Sequence, residues 1–392
     1  MRRALLLLLA NVVHTDLNYR GGSERLAIAT ILALSNMGIN VELTLLKRPN
    51  LLQLEKTYGE TATLILKKIR TINILQPHTK SYTKKDYDLT INTAGDLLPF
   101  FCSDFTMNNS IVYCHFPLAK YKIESRDPRY IQFLNNINKL PTVKTTISHN
   151  QDNLKAVSDI FSNMMINSSV LTNSQYSRKA ILKAFGVDSK VLSPPVDVDL
   201  FRRNSLYSNN RKDIILVISR FHPTKKLENA IRLARLLKQN GIGSRMKIIG
   251  ILAYDCLDYY SYLKNMVEKY KLTDYVIFET NVRFSRLLKA MHEAMVYFHP
   301  LAGEPFGIST VEAMSAGLIP VVPDIGGHTE FVPLKYQFHT CREGVKAIAS
   351  ALNASSSERI SISDSVRKYS VRNYVKHFQQ IVKMLLYNAR IR

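Results

Sequence analysis

The chain has 392 residues, 46% of them hydrophobic and 21% charged, with a formal net charge of +22. That length is too great for one ordinary core and suits two domains, and the apolar share excludes a disordered chain. The positive charge implies an anionic partner, whether nucleic acid, anionic lipid or a phosphorylated ligand, without choosing among them.

Cys102, Cys114, Cys256 and Cys341 are scattered, with no pair at metal or redox spacing, so neither a zinc site nor a disulfide is expected and a reducing, cytoplasmic setting is implied. The opening "MRRALLLLLANVV" has the basic start and apolar run of a signal peptide. The run is short and no small-residue cleavage pattern follows, so a buried first strand is the better reading. No later stretch approaches the roughly 20 apolar residues of a spanning helix, so any membrane contact is expected to be peripheral.

In chain order, the apolar strand ending at Val13 is followed by the loop "HTDLNYRGGS", a helical pattern from Glu24 to about Met37 and the strand "INVELTLL". The apolar runs "YDLTINT", "SIVYCHF" and "SSVLTNS" follow, each ending in polar or turn residues, as in a parallel sheet. After "SPPVDVDLF" the pattern restarts with "DIILVIS", the loop "RFHPTKK", the helix "LENAIRLARLLKQN" and the strand "RMKIIG". It continues through "YVIFE", "RFSRLLKAMHEA", "MVYFHP", "LAGEPFGIS", "TVEAMSAG" and "IPVVP". This alternation is that of an α/β fold with two Rossmann-like doubly wound domains. The expected division is residues 1–196, residues 197–366, and a basic helical tail, 367–392, that crosses back to the first domain.

The most informative stretch runs from Glu304 to Glu312, two glutamates with seven residues between them that span a loop and the start of a helix. Gly307, Ile308 and Ser309 would present free backbone N–H groups at the helix start, an arrangement that binds phosphate without a cation. By spacing alone the glutamates read more readily as solvated helix-end charges. Gly21 and Gly22, between the first strand and first helix, permit close approach to phosphate but also suit an ordinary turn. Arg220 and Lys225, five apart after the first strand of the second domain, would neutralise an anion there, with Lys226 an adjacent alternative.

Taken in order, "RGGSERLA", "VYCHFP", "LTNSQYSRKAI", "SPPVDVDLF", "ISRFHPTKK", "EPFGISTVE", "EAMSAGLIPVV" and "GGHTEFV" resemble the motif series of the retaining glycosyltransferases of family four. The resemblance covers most of the chain. It implies the GT-B architecture, two Rossmann-like domains facing a cleft, and a sugar transfer from a nucleotide diphosphate sugar. By it, Glu304 contacts the transferred hexose and Glu312 the donor ribose, while Phe306, Gly307, Ile308 and Ser309 meet the sugar and diphosphate. Arg220 and Lys225 stabilise the leaving group, and Gly21 and Gly22, with Ser23 or Arg20, cap the diphosphate. His115, at the end of "SIVYC", orients the reacting sugar, and no general base is assigned because the donor phosphate takes the acceptor proton.

The resemblance implies no metal ion and no cofactor beyond the donor. Asp197 and Asp199 are therefore read as connection structure, not as a metal dyad. Within the family, "HFP", "FHPTKK" and the basic, aromatic stretch with Lys120, Lys122, Arg126, Arg129, Tyr121, Ile123, Tyr130, Ile131 and Phe133 are most similar to the dolichol-pathway mannosyltransferases. That points to GDP-mannose as donor, a lipid-linked or other saccharide acceptor, and peripheral placement on the cytoplasmic face of an anionic membrane. A UDP-sugar hexosyltransferase of the same family is the alternative donor class. A nucleic-acid or anionic-membrane binding protein without turnover is the alternative of another kind, disfavoured for nucleic acid by the lack of a recognised motif or stacking platform. Asn108, Asn167 and Asn353 match glycosylation sequons that a cytosolic protein would not use.

Overall fold

The structure, a computed structural model, describes residues 8–19, 21–58, 60–74, 87–95, 109–128, 153–203 and 211–391. The chain divides into two compact units, Met1–Pro195 with Arg372–Arg392, and Val196–Val371.

In the first unit, β1 (Leu9–Val13), α1 (Gly22–Asn36) and β2 (Asn40–Leu45) form the expected βαβ start. Two short helices not marked by any motif, α2 (Leu51–Tyr58) and α3 (Glu60–Lys67), precede β3 (Thr71–Ile74). Then come β4 (Leu89–Asn92), β5 (Ser110–Tyr113), α4 (Leu118–Glu124), α5 (Asn153–Ile166), β6 (Ser169–Thr172), α6 (Gln175–Phe185) and β7 (Lys190–Val191). All neighbouring strands pair in parallel, in the order β3-β2-β1-β4-β5-β6-β7. The interior of β1 is buried from Ala10 to Val13, as expected where helices cover both faces of a parallel sheet.

In the second unit, α7 (Val198–Arg202), β8 (Lys212–Ile218), α8 (Leu227–Gln239), β9 (Arg245–Gly250), α9 (Leu257–Lys269) and β10 (Val276–Thr280) form the first half. The second half holds α10 (Phe284–Glu293), β11 (Ala294–Phe298), α11 (Ile308–Ser315), β12 (Ile319–Pro323), β13 (Gln337–Phe338), α12 (Cys341–Leu352) and α13 (Ser356–Ser365). The sheet is again parallel, ordered β10-β9-β8-β11-β12-β13. Alternation along β8 sends Ile215 and Val217 into one apolar cluster and Ile214 and Leu216 into another, so the sheet is the middle of three layers. The expected α/β class with two doubly wound sheets is the observed one.

The last helix, α14 (Val371–Ile391), starts after a short 3-10 turn at Arg367–Tyr369, several residues later than its pattern suggested. It belongs to the first unit. Tyr374 and Phe378 are buried and stacked, the Tyr374 hydroxyl lies 2.7 Å from Thr30 Oγ1, and Gln379 donates to the Ala33 carbonyl of α1. Val196 and Ser370 pair as an isolated bridge, so the chain enters and leaves the second unit side by side.

Both sheets share one topological feature. Strand order reverses between β1 and β4 in the first and between β8 and β11 in the second, so the loops leaving those strands part company and open a crevice at the carboxyl edge. Backbone packing at that edge in the second unit is tight. A Cβ on Gly250, the last residue of β9, would lie 1.7 Å from the Ser219 carbonyl oxygen, where the chain leaves β8 toward Arg220. Gly250→Ala is therefore expected to cost about 2 kcal/mol or more of stability, because backbone and not a rotamer must yield, as read from urea unfolding.

Candidate functional site

In the second unit the reversal point gathers the loops after β8 and β11. Lys225 closes a 3-10 turn, Pro223–Lys225, that His222 caps by accepting from the Thr224 amide. Its ammonium reaches across to Glu304 Oε2 at 3.0 Å. Lys226, the alternative, has a left-handed backbone and an exposed side chain 4.0 Å from Glu228, so the turn itself selects Lys225. Arg220 is exposed just beyond β8, and among the described residues its side chain makes no ion pair.

Glu304 is held from three sides. Its carbonyl accepts from the Gly327 amide, and Gly326, with φ +135°, packs so closely that a Cβ would sit 2.8 Å from that carbonyl oxygen. The glycine pair of "GGHTEFV" is thus a wrapping around Glu304. Its carboxylate faces Lys225 and, at 3.5 Å, His299 Nε2. Burial by itself would raise the carboxyl pKa, but Lys225 and His299 together hold it well below the usual carboxylate range.

Three residues on, Gly307 takes φ +99° as the N-cap of α11, a left-handed geometry suited to glycine. No side chain caps this helix, and while the Thr310 amide bonds the Gly307 carbonyl at 3.0 Å, the Ile308 and Ser309 amides lack acceptors within the helix. The Phe306 ring is buried against Phe331 and Tyr369, so only its backbone is left for a ligand. Ser309 Oγ lies 2.8 Å from the Tyr297 hydroxyl, and Glu312 is buried one turn along α11. The structure thus brings Lys225, Glu304 and the α11 N-terminus to one loop edge. Such a place offers a cation, a fixed carboxylate and anion-binding amides together.

The reversal point of the first unit carries the other predicted residues. Gly21 is the N-cap of α1 and donates to Glu24 Oε2 at 2.6 Å, and Ser23 Oγ donates to Glu24 Oε1. Gly22 opens the helix. Glu24 is itself buried beside His14, whose Nε2 lies 3.4 Å from Oε1 and whose Nδ1 lies 3.1 Å from Thr93 Oγ1. Burial would raise the Glu24 carboxyl, yet His14 and the local donors hold it below its ordinary value. Thr93 continues the network, since its carbonyl accepts from His115 Nε2 at 3.1 Å. Burial pushes the His115 imidazole down to about 4, which keeps it neutral at pH 7 with Nδ1 as an acceptor.

His14, Glu24, Tyr297, His299 and His328 were not singled out in the sequence. The signal available was a histidine ending an apolar strand beside a loop, as His14 and His299 do in the same manner as His115. His328 is fully buried, donates from Nε2 to the Pro323 carbonyl at 2.8 Å, and is pushed down to about 4 by burial and by neighbouring His299. Asp197 caps α7 by accepting from the Leu200 amide. Among the described residues no group of three or more His, Cys, Asp or Glu is arranged to hold a metal ion. Of the basic, aromatic stretch, Lys120 bonds Ser158 and Tyr121 is exposed on α4, whereas Arg129, Tyr130, Ile131 and Phe133 lie outside the described residues, as do Arg20, Cys102 and Asn108. No described helix is long and apolar enough to cross a membrane.

Residues 200–370 match the model of the family described as glycosyl transferases group 1. By sequence, the second unit is similar to those enzymes. The chain is 28% identical over 234 residues to a GDP-Man:Man(3)GlcNAc(2)-PP-Dol alpha-1,2-mannosyltransferase of Dictyostelium discoideum, covering 56% of this chain and 46% of that one. The human protein of the same name is 25% identical over 215 residues, covering 50% and 44%. The chain thus spans about half the length of these curated relatives. Among solved structures, Anabaena HepE in complex with UDP superposes with a TM-score of 0.66 at 16% identity, over 97% of this chain and 100% of that one, and shares the fold. The similarity to glycosyltransferases, and within them to mannosyltransferases of dolichol-linked glycans, is the one read from the motifs.

The Lys225–Glu304 pair makes stability depend on pH in a defined sense. Because the folded carboxyl lies below its ordinary value of 4.5, its ionisation adds stability above that pH, and the gain is lost as pH falls toward the folded value. Lys225→Met is expected to cost about 1–2 kcal/mol at pH 7. The cost should shrink toward pH 3 as Glu304 takes up a proton in the variant, as read from urea unfolding at both pH values.

Proposed function

We propose that this protein is a retaining glycosyltransferase that moves mannose from GDP-mannose to a lipid-linked saccharide acceptor without a metal ion, at the cytoplasmic face of a membrane. The observation that carries the reading is the convergence of the Lys225 ammonium, the Glu304 carboxylate and the uncapped N-terminus of α11 at one sheet edge. A departing nucleoside diphosphate needs its growing charge met as the sugar bond breaks. Backbone amides, a helix dipole and an ammonium supply that without a metal ion. The fixed carboxylate beside them suits sugar hydroxyls, which only an acceptor held in place can orient.

In this reading Glu304 binds the hexose, Glu312 the ribose, and Phe306, Gly307, Ile308 and Ser309 the sugar and diphosphate. Lys225 and Arg220 meet the leaving group, Gly21 and Gly22 approach the diphosphate, and His115 orients the sugar. The donor phosphate takes the acceptor proton on the face from which it leaves. The choice of GDP-mannose and of a lipid-linked acceptor is supported by the names of the curated relatives.

The donor is tested by thermal shift with GDP, UDP, ADP, GDP-mannose and UDP-glucose, since a ligand bound to the folded state raises the melting temperature by mass action. GDP and GDP-mannose are expected to stabilise selectively. A UDP preference would move the assignment to a glucose-type donor, and stabilisation by none would overturn the nucleotide-sugar reading. With the stabilising donor, Glu312→Ala and Lys225→Ala are each expected to lower transfer about 100-fold or more while the fold persists. Chelator is expected to leave the rate unchanged, and a loss that magnesium or manganese restores would contradict the metal-free step.

A further inference from the structure

His299 follows the last residue of β11, and its ring lies between two oxygens. Nδ1 is 3.0 Å from the Tyr297 hydroxyl and Nε2 is 3.5 Å from Glu304 Oε2. Beyond these, Tyr297 Oη lies 2.8 Å from Ser309 Oγ, and Glu304 Oε2 accepts from Lys225 Nζ at 3.0 Å. The side chains form one line from the first turn of α11 to the turn after β8. His299 is almost fully buried, and its Nε2 makes no formed hydrogen bond, with Glu304 Oε2 facing it at 3.5 Å.

The proton positions follow from the two ends. Lys225 only donates and an ionised carboxylate only accepts. A bare Nε2 would turn its lone pair on the Glu304 carboxylate in a dry place, which is repulsive, so Nε2 carries the proton. In the neutral ring Nδ1 is then bare and accepts the Tyr297 O–H, and Tyr297 Oη in turn accepts the Ser309 O–H. Tyr297 cannot supply that acceptor role by ionising, because burial raises its pKa far above neutrality. His328, packed 5.3 Å away centroid to centroid, commits its own Nε2–H to the Pro323 carbonyl and so does not compete for Glu304.

We propose that His299 is a positioning residue for sugar recognition: locked as the Nε2–H tautomer by Tyr297, it fixes the Glu304 carboxylate toward the sugar hydroxyls and leaves Ser309 Oγ as a pure acceptor. The role of Glu304 comes from the proposed function, and the inference deepens that reading. Lys225 alone would leave the carboxylate free to rotate about its one remaining contact. The 3.5 Å separation is longer than a formed hydrogen bond, and the proposal requires it to shorten when a bound hydroxyl draws the carboxylate into place. In the proposed reading the nucleoside diphosphate is met by the α11 amides, Lys225 and Arg220, none of which a substitution at His299 or Tyr297 removes.

The test compares wild type with His299→Leu, His299→Gln and Tyr297→Phe. Melting shifts with the nucleoside diphosphate alone are expected to be the same in all four. For the nucleotide sugar, His299→Leu is expected to lower kcat/KM about 10- to 100-fold, the worth of a hydrogen bond to a charged group. His299→Gln should recover most of the loss, because its amide N–H falls near the place of Nε2–H, and Tyr297→Phe should lie between. Unchanged kcat/KM in His299→Leu, or a glutamine no better than the leucine, would show packing alone and overturn the proposal. Nitrogen-15 spectra of the histidines in ligand-free protein, with the His299 signal assigned by its loss in His299→Gln, give a readout that needs no substrate. The Nε2–H form is expected, and the Nδ1–H or charged form would overturn it. Should wild type respond to no nucleoside diphosphate and transfer no sugar, the site reading fails separately, whatever the tautomer.

Discussion

Both units depend on one constraint of parallel sheets, the reversal of strand order. A crossover connection returns the chain to the same edge of the sheet each time, so every loop that follows a strand lies on the carboxyl side. Where successive strands are added first to one side and then to the other, the loops diverge and leave their backbone ends unfilled. The reversal falls between β8 and β11 in the second unit and between β1 and β4 in the first. The Lys225–Glu304 contact spans the one, and the His14–Thr93 contact spans the other. Each is a polar bond across the place where the strand order reverses.

A carboxylate as buried as Glu304 is tolerated only when partners replace the lost water. Three independent segments contribute: the turn after β8 through Lys225, the end of β11 through His299, and the glycine pair after β12 through the Gly327 amide on the Glu304 backbone. Because the partners come from distant parts of the chain, the carboxylate is oriented only when the whole edge has folded. Mutation of any of the three disturbs the same anion by a different route. The same edge ends in the uncapped N-terminus of α11, where burial of a rigid Phe306 ring anchors the backbone that precedes it.

The first unit repeats the logic with a different outcome. Its buried carboxylate, Glu24, spends one oxygen on the Gly21 amide and the other on His14 and Ser23. The acid therefore works inward, fixing a glycine loop, whereas Glu304 is held beside an open helix end. Thr93 joins this network to His115, so one strand-end threonine aligns both histidines of the edge.

Features that depend on local pattern were legible in the sequence. The alternation of apolar runs with helical periods was enough for two doubly wound units, and Gly307 placed ahead of an apolar helix marked an N-terminus open to an anion. The run Glu304 to Glu312 was legible because a loop and the helix it opens are contiguous. The helices Leu51–Tyr58 and Glu60–Lys67 escaped because each is only eight residues long, too short to show a period, and the last helix was placed too early because a 3-10 turn at Arg367–Tyr369 shares its spacing. Which charges meet was settled by the fold and not by any local pattern. Lys225 and Glu304 are 79 positions apart, Lys225 and Lys226 are alike as letters, and the left-handed turn at Lys226 alone separates them. His14, His299 and His328 read as ordinary strand or loop residues until burial and a polar neighbour gave each a defined contact. Tautomer, orientation and pKa are set by groups brought together through space, and no local pattern carries that information.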